Sequence, residues 1–574
     1  MAMDKDLQSI QQARECVEKA HEAQKAFAEY SQEKVDAVVE AMAEAGLRES
    51  ERLARLAVEE TGYGRYEDKI LKNKFGSQYV YDAIKDLKTV GIIREDPARG
   101  IIEIAAPVGV IAAIIPSTNP TSTTLNKALI ALKSRNAIVF SPHPSAAHCI
   151  QETAKVLSEA AEASGAPEGI IQCMSVATIE GTQELMKHRK TSLILATGGH
   201  GLVRAAYSAG KPAYGVGPGN VPAYIESSAD IKKAVSDIFA GKCFDHGTLC
   251  SSEQAIITDE TIKEKVIEEV KVQGGHFLSE PEIEALGKIV VTPTKMINPK
   301  IVGRAAPLIA GMAGIRVPEG TRVLVAPLKG VGRDFPLSIE KLSPILAFYV
   351  EKDWRAACDR CIELLGYGGL GHTLAIHSRD DEIIRQFGLH KPVFRIVVNT
   401  QAALGAVGYT TNLFPSMTLG CGSLGGNITS DNISPLHLMN IKRIAYESAG
   451  TRLAASPGVN QRPSTAETHS LIRDQISDVV EKLLAQKSLN PSALALTPSN
   501  PQTVGGPLAS ARAVGFNTPP PTEASPPKIS PFVCEDDVRL ALRKNEKIYV
   551  NAKSIVTPSA RDLGTEKDVL VFLS

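Results

Sequence analysis

The 574 residues carry 63 Lys and Arg against 64 Asp and Glu, a formal net charge of −1 at pH 7. So balanced a chain has no global field to attract nucleic acid or anionic lipid, and 43% apolar with 22% charged residues is an ordinary globular composition, long enough for two or three domains. Nine cysteines, an odd count without framework spacing, fit reduced thiols in a cytosol-like compartment better than disulfides.

Residues 7 to 90 predict helices with charged outer faces, as in "SIQQARECVEKAHEAQKAFAEY" and "ESERLARLAVEETG". The start "MAMDKDLQSIQQARECVEKA" is polar from its first residues and has no secretory h-region. The most apolar stretch, "IIEIAAPVGVIAAIIP" (101 to 116), contains Glu103 and Pro107 and is too short to span a bilayer, so a soluble protein is expected. From there to about 445, short β-branched runs ("GVIAAIIP", "NAIVF", "SLILAT", "PAYIE", "QAIIT", "FRIVVNT") alternate with helix-length segments. That alternation predicts α/β layers with buried parallel sheets.

Three loops in this body carry residue types suited to chemistry. "IIPSTNPTSTTLNKAL" (114 to 129) turns from strand to helix at Asn119, whose amide suits an oxyanion donor and equally a turn or cap. "AYGVGPGNVPAYIE" (213 to 226) is Gly-rich but runs into a strand; "ATGGHGLVRAA" (196 to 206) follows a strand and opens a helix, the better context for a dinucleotide. "CFDHGTLCSSEQAII" (243 to 257) holds Cys250 on a Gly-Thr turn. A free thiol is a weak nucleophile unless its site favours the thiolate, and most free cysteines are packing. "CDRC" (358 to 361) has CxxC spacing inside a helical pattern and no partner pair for a metal.

"TNPTSTTLNKALIALKSRNAIVFSPHP", "GVGPGN", "FDHGTLCSSEQ", "GYGGLGHT" and "FPSMTLGCGSLGGN" together resemble the aldehyde dehydrogenase superfamily. The resemblance is to its CoA-acylating branch, including the N-terminal half of bifunctional aldehyde-alcohol dehydrogenases, and it runs from about 10 to 447. It implies a Rossmann-like NAD domain, an α/β catalytic domain and a small β bridge used in homodimers or tetramers. Cys250 matches the nucleophile and Asn119 the side-chain half of the oxyanion hole, with the Cys250 N–H as the other half; Cys243 has no match and reads as packing. Cofactor contacts are implied at Pro116, Ser141, Pro142, Gly198, Gly199, Gly217, Glu340 and Leu342. Glu340 matches the residue that holds the nicotinamide ribose. His372 in "GHT" reads either as a helper near CoA or as structural.

Two departures from the hydrolytic branch stand out. Val216 takes the place of a water-activating Glu, which favours CoA over water as acyl acceptor. Ser141-Pro142 replaces a Lys-Pro pair at the adenine ribose, leaving NAD versus NADP open. The implied activity is oxidation of a short aldehyde to acyl-CoA with NAD and CoA; a hydrolytic enzyme and an inactive assembly protein are the alternatives.

The expected organisation is an NAD domain at 1–239 (90–106 in the bridge), a catalytic domain at 240–427, an oligomerisation strand at 428–447 and a linker at 448–467. An amphipathic helix (468–487), a Pro/Ser/Ala-rich disordered linker (488–530) and a small C-terminal module (531–574) follow. Ile472, Ile476, Val479, Val480 and Leu483 form one apolar stripe on that helix. It resembles the encapsulation peptides of bacterial microcompartment enzymes, implying shell proteins as partners and a cytoplasmic compartment as location.

Overall fold

The computed structural model describes residues 4–292, 296–447 and 529–530, with most of 532–572. These belong to two compact units, Met1–Ala455 and Ser456–Ser574. The linker and helix expected over 448–487, and nearly all of the linker expected over 488–530, lie outside the described residues.

The first unit opens with the helices Lys5–Phe27, Gln32–Arg48, Ser50–Thr61 and Tyr66–Lys74. The first three turn stripes of mostly small and branched residues inward, such as Ala13, Val17, Ala20 and Phe27 in the first, whereas the fourth buries Lys69, Lys72 and Asn73. Ser31 caps the second by accepting from the Lys34 N–H. The chain then lays down β1 (Gly91–Asp96) and β2 (Ile101–Pro107) as an antiparallel pair. Next come β3 (Val110–Ile115), β4 (Ala137–Pro142), β5 (Ile171–Cys173), β6 (Thr191–Thr197) and β7 (Ala213–Val216), a parallel sheet in the order β5-β4-β3-β6-β7.

A second parallel sheet is built from β8 (Val221–Ile225), β9 (Glu253–Asp259), β10 (Gly275–Phe277), β11 (Val323–Pro327), β12 (Ile345–Glu351), β13 (Leu374–His377) and β14 (Ile396–Val398). Its order is β10-β11-β12-β9-β8-β13-β14. Finally β15 (Met439–Ala445) returns to pair antiparallel with β2, which completes a three-stranded sheet from the two segments the sequence reading grouped together. The change of sheet falls between Val216 and Val221, and β8 joins the second sheet.

Continuous apolar runs explain the parallel layers. Every residue of β3 and of β4 is buried, as expected for strands covered on both faces. The helix Pro120–Lys133 is buried along its whole length, which forces its lysines to find partners. Lys127 donates to the Ile114 carbonyl at 3.0 Å and the Leu195 carbonyl at 2.9 Å, and burial pushes its pKa down to about 7. Those carbonyls sit on β3 and β6, the neighbouring strands between which the sheet order reverses. Such a reversal opens a crevice beyond the carboxyl ends of the strands.

In the second unit, the helix Glu535–Lys544 accompanies two short parallel strand pairs, Phe532–Val533 with Ile555–Val556 and Ile548–Val550 with Leu570–Phe572. Val533, Val538, Val550 and Leu570 belong to its own small core.

Asn136 ties the first sheet to the strand that returns. Its Oδ1 accepts from the Val108 and Gly109 N–H groups at 2.8 and 3.0 Å, and its Nδ2 donates to the Leu438 carbonyl at 2.7 Å. Asn136→Ala strands one buried and two partly buried backbone groups, and we expect a loss of about 1–3 kcal/mol in urea-unfolding free energy. A loss below about 0.5 kcal/mol would show that water takes over these bonds.

Candidate active site

Strand ends of opposite polarity deliver the predicted residues to one place. From the first sheet come the carboxyl ends: Pro116 and Asn119 after β3, Ser141 and Pro142 closing β4, Gly198 and Gly199 after β6, and Gly217 after β7. From the second sheet come segments that precede strands: Cys250 before β9, Glu340 and Leu342 before β12, and His372 before β13. The Gly217–Asn220 connection passes between the two sets.

Cys250 is partly exposed, and its Sγ lies 3.2 Å from His372 Nε2. His372 is fully buried, with Nδ1 2.9 Å from the Thr373 hydroxyl. In the tautomer that donates Nδ1–H to Thr373, the Nε2 lone pair faces the thiol and accepts its proton. Two glycines make this approach feasible. A Cβ on Gly219 would stand 2.3 Å from the Cys250 carbonyl oxygen and 3.0 Å from His372 Cγ. Gly371 adopts φ +76° and leaves room for the Cys421 carbonyl oxygen, which a Cβ would meet at 1.7 Å.

Electrostatics keep the pair neutral. Burial, then the negative charge of Glu340, pushes the Cys250 thiol up to about 12, against a downward pull from the Arg395 guanidinium. Burial, then the same guanidinium, pushes His372 down to about 3. The proton therefore rests on sulfur, and the imidazole is a free base pointed at it.

Asn119 sits at the start of the helix Pro120–Lys133 but makes no side-chain cap bond there. Its Oδ1 accepts from Lys72 Nζ at 2.7 Å; its Nδ2 donates to the Thr248 carbonyl, two residues before Cys250, at 3.2 Å. The amide is thus held against the nucleophile turn rather than spent on the helix.

Glu340 accepts from the Gly219 N–H at 2.9 Å, and burial pushes its carboxyl up to about 7. Leu342 follows at φ +47°, a left-handed position that costs a non-glycine residue energy and accompanies functional loops. Along the first sheet, a Cβ built on Gly199, Gly201 or Gly217 would meet nothing within 4 Å, so a ligand can approach the backbone closely. The helix His200–Tyr207 opens directly after Gly198-Gly199 and offers its free N–H groups to an anion. These features fit a dinucleotide. Ser141 is fully buried with its hydroxyl 2.8 Å from that of Thr182.

The other residues of the 243–257 loop, and the remaining candidates, have different work. Cys243 ends a helix with its thiol 3.7 Å from the Arg322 carbonyl. Glu253 is buried and accepts from the Ala402 N–H. Cys358 and Cys361 are buried on the helix Trp354–Gly368, and among the described residues no group of three His, Cys, Asp or Glu could hold a metal ion. Val216 is buried in an apolar cluster with Phe75, Leu249 and Met417. Leu71, Phe75, Leu249, Leu404 and Met417 line a small cavity of about 10 Å³, with Lys72 its one charged wall.

Three residues escaped the sequence reading: Lys72, Asp245 and Arg395. Arg395 was legible as a charge inside the strand-like run "FRIVVNT"; it is 3% exposed and donates to the carbonyls of Gly420 and Ser430. Asp245 stood in the quoted motif without a partner to give it meaning. Lys72 belongs to a charged helix and gave no signal.

The profile of the Aldehyde dehydrogenase family matches residues 5–275. An acetylating aldehyde dehydrogenase from Geobacillus thermoglucosidasius is 54% identical with a TM-score of 0.76, the match covering 80% of this chain and 100% of that one. The bifunctional aldehyde-alcohol dehydrogenase AdhE of Escherichia coli K12 is 43% identical over 434 residues, 75% of this chain but 49% of the relative, so the chain spans about half its length. A propionaldehyde dehydrogenase from the Clostridium phytofermentans fucose utilisation bacterial microcompartment is 30% identical with a TM-score of 0.68, covering 76% and 97%. The chain belongs to the aldehyde dehydrogenase family, in its acylating branch.

Proposed function

We propose that the protein oxidises a short, apolar aldehyde to its acyl-CoA through a thioester on Cys250. The observation that carries this reading is the 3.2 Å contact between Cys250 Sγ and a neutral His372, in a site where Val216 is packed in apolar surroundings and cannot activate water. His372 Nε2 takes the thiol proton as sulfur attacks the aldehyde carbon. The oxyanion forms beside the Asn119 amide and the Cys250 N–H. Glu340, Gly198, Gly199 and Gly217 would hold the dinucleotide, and a bound nicotinamide supplies the hydride acceptor that converts the thiohemiacetal on Cys250 to a thioester. With no carboxylate at Val216, the thioester waits for CoA: His372 first gives the Cys250 proton up to solvent, then takes the CoA thiol proton as sulfur attacks and returns it to the departing Cys250 thiolate.

The delivery reading is separate. The apolar stripe of residues 472–483 and the likeness to a microcompartment enzyme support binding of shell proteins by 468–487.

NADH formation from propionaldehyde and NAD+ should require CoA and vanish in Cys250→Ala. CoA-independent turnover to free acid would restore the hydrolytic reading. In the absence of cofactor, the rate of Cys250 alkylation by iodoacetamide should rise about tenfold per pH unit from 7 to 9, with no plateau, because the thiol titrates at about 12. A plateau near neutral pH would instead mark a thiolate–imidazolium pair. Deleting 466–487 should leave turnover intact and abolish co-sedimentation with shell proteins; retained co-sedimentation would exclude this segment as the address.

A further inference from the structure

Beneath Asn119 lies a buried charge cluster that the reaction scheme above leaves idle. Asp245 is fully buried, and Lys69 and Lys72 are 1% and 3% exposed. Both ammonium groups reach the same Asp245 oxygen, Lys69 at 3.0 Å and Lys72 more closely still. The Thr248 hydroxyl donates to that oxygen at 2.5 Å, and the other Asp245 oxygen accepts from the Arg65 N–H at 2.7 Å. Asp245 and His246 hold φ of +47° and +52°, two successive left-handed residues without glycine's freedom. The turn is strained to bring this carboxylate underneath the nucleophile segment.

One lysine would be enough to neutralise Asp245. A second buried ammonium is costly: desolvation pushes Lys72 down to about 8 despite the adjacent carboxylate. What Lys72 reaches and Lys69 does not is Asn119 Oδ1, at 2.7 Å. An ammonium has donors only, so it accepts one of the two near-isosteric orientations of an amide and refuses the other. The orientation selected leaves Nδ2 as the face toward the Thr248–Cys250 turn. Flipped, Asn119 would present a carbonyl lone pair to a developing oxyanion. The cation on Oδ1 also polarises the amide and strengthens its N–H groups as donors.

We propose that Lys72 is a positioning residue for the oxyanion amide: anchored by Asp245, its ammonium holds Asn119 Oδ1 and fixes the amide with Nδ2 toward the Cys250 turn. The inference rests on the acyl-transfer reading of Asn119. Lys72→Met leaves the Lys69–Asp245 pair in place, with Asp68 still accepting from the Asp245 N–H and paired with Arg65.

The test is a double-mutant cycle of Lys72→Met and Asn119→Ala, read as kcat for NADH formation from propionaldehyde with NAD+ and CoA. Each single variant should lose about 10²-fold in kcat. The combination should lose no more than about twofold beyond Asn119→Ala, because the two residues act as one unit. Lys72→Met should keep the wild-type KM for CoA and the wild-type rate of Cys250 alkylation. Losses that multiply, or a Lys72→Met enzyme with near wild-type kcat, would overturn the proposal. Should Lys72→Met fail to fold, Lys72→Gln, which keeps an N–H donor without the charge, completes the same cycle under the same criteria and should recover part of kcat. Full activity in Asn119→Ala alone would overturn the oxyanion reading itself and leave Lys72 as a counterion of Asp245.

Discussion

The site depends on one short crossing of the chain. Between Val216 and Val221 the polypeptide leaves one parallel sheet and enters another, and the segment is fixed at its centre by the Gly219 N–H donating to Glu340. Gly219 also fills the gap between the Cys250 carbonyl and the His372 ring, with no room for a Cβ. A single residue therefore sets the distance between the nucleophile, its base and the carboxylate assigned to the cofactor. The two sheets meet with opposite polarity, carboxyl ends of one against the leading ends of the other. That lets the first sheet offer backbone N–H groups and open glycines to a dinucleotide while the second offers turns that project side chains.

The chemistry follows from desolvation. Burial raises the thiol and lowers the imidazole, so both effects drive Cys250 and His372 toward their uncharged forms. A neutral pair is less reactive at rest than a thiolate–imidazolium pair. It also leaves the imidazole free to take a proton at the moment of attack. Arg395 acts on both groups in the same electrostatic sense, easing the thiolate and opposing the imidazolium. Burial and the Glu340 charge outweigh Arg395 at the thiol, so at rest the proton stays on sulfur.

Much of this was legible in the sequence because it is periodic or local. The buried strands read as β-branched runs, and β1, β2 and β15 fell where the bridge was expected. Cys250, Asn119 and Glu340 were carried by motifs whose spacing survives without coordinates. The limits are physical too. Texture cannot show that β8 belongs to the second sheet, because a buried parallel strand reads alike in either layer. Lys72 looks like a solvated helix charge until the fold removes its water, and Asp245 looks like a turn residue until two lysines from another helix arrive. His372 stayed ambiguous for the same reason. Its meaning lies in 3.2 Å of contact across 122 positions of chain.

The choice of acyl acceptor is where fold and chemistry meet most closely. A thioester on Cys250 is hydrolysed quickly only if a base prepares water on the face away from the leaving sulfur. Under the proposed function, Val216, buried 98% within the cluster that includes Leu249, the neighbour of Cys250, offers no such base. Placing a carboxylate there would require desolvating it in an apolar cluster, so the packing around Val216 excludes the base. The nearest assigned carboxylate, Glu340, has one oxygen committed to Gly219 and cannot swing to the task without releasing the crossing between the sheets. On this reading acceptor selection comes from apolar packing: water can enter but finds only the weakly basic His372 imidazole, whereas a thiol, far more acidic than water, can give its proton to that same imidazole.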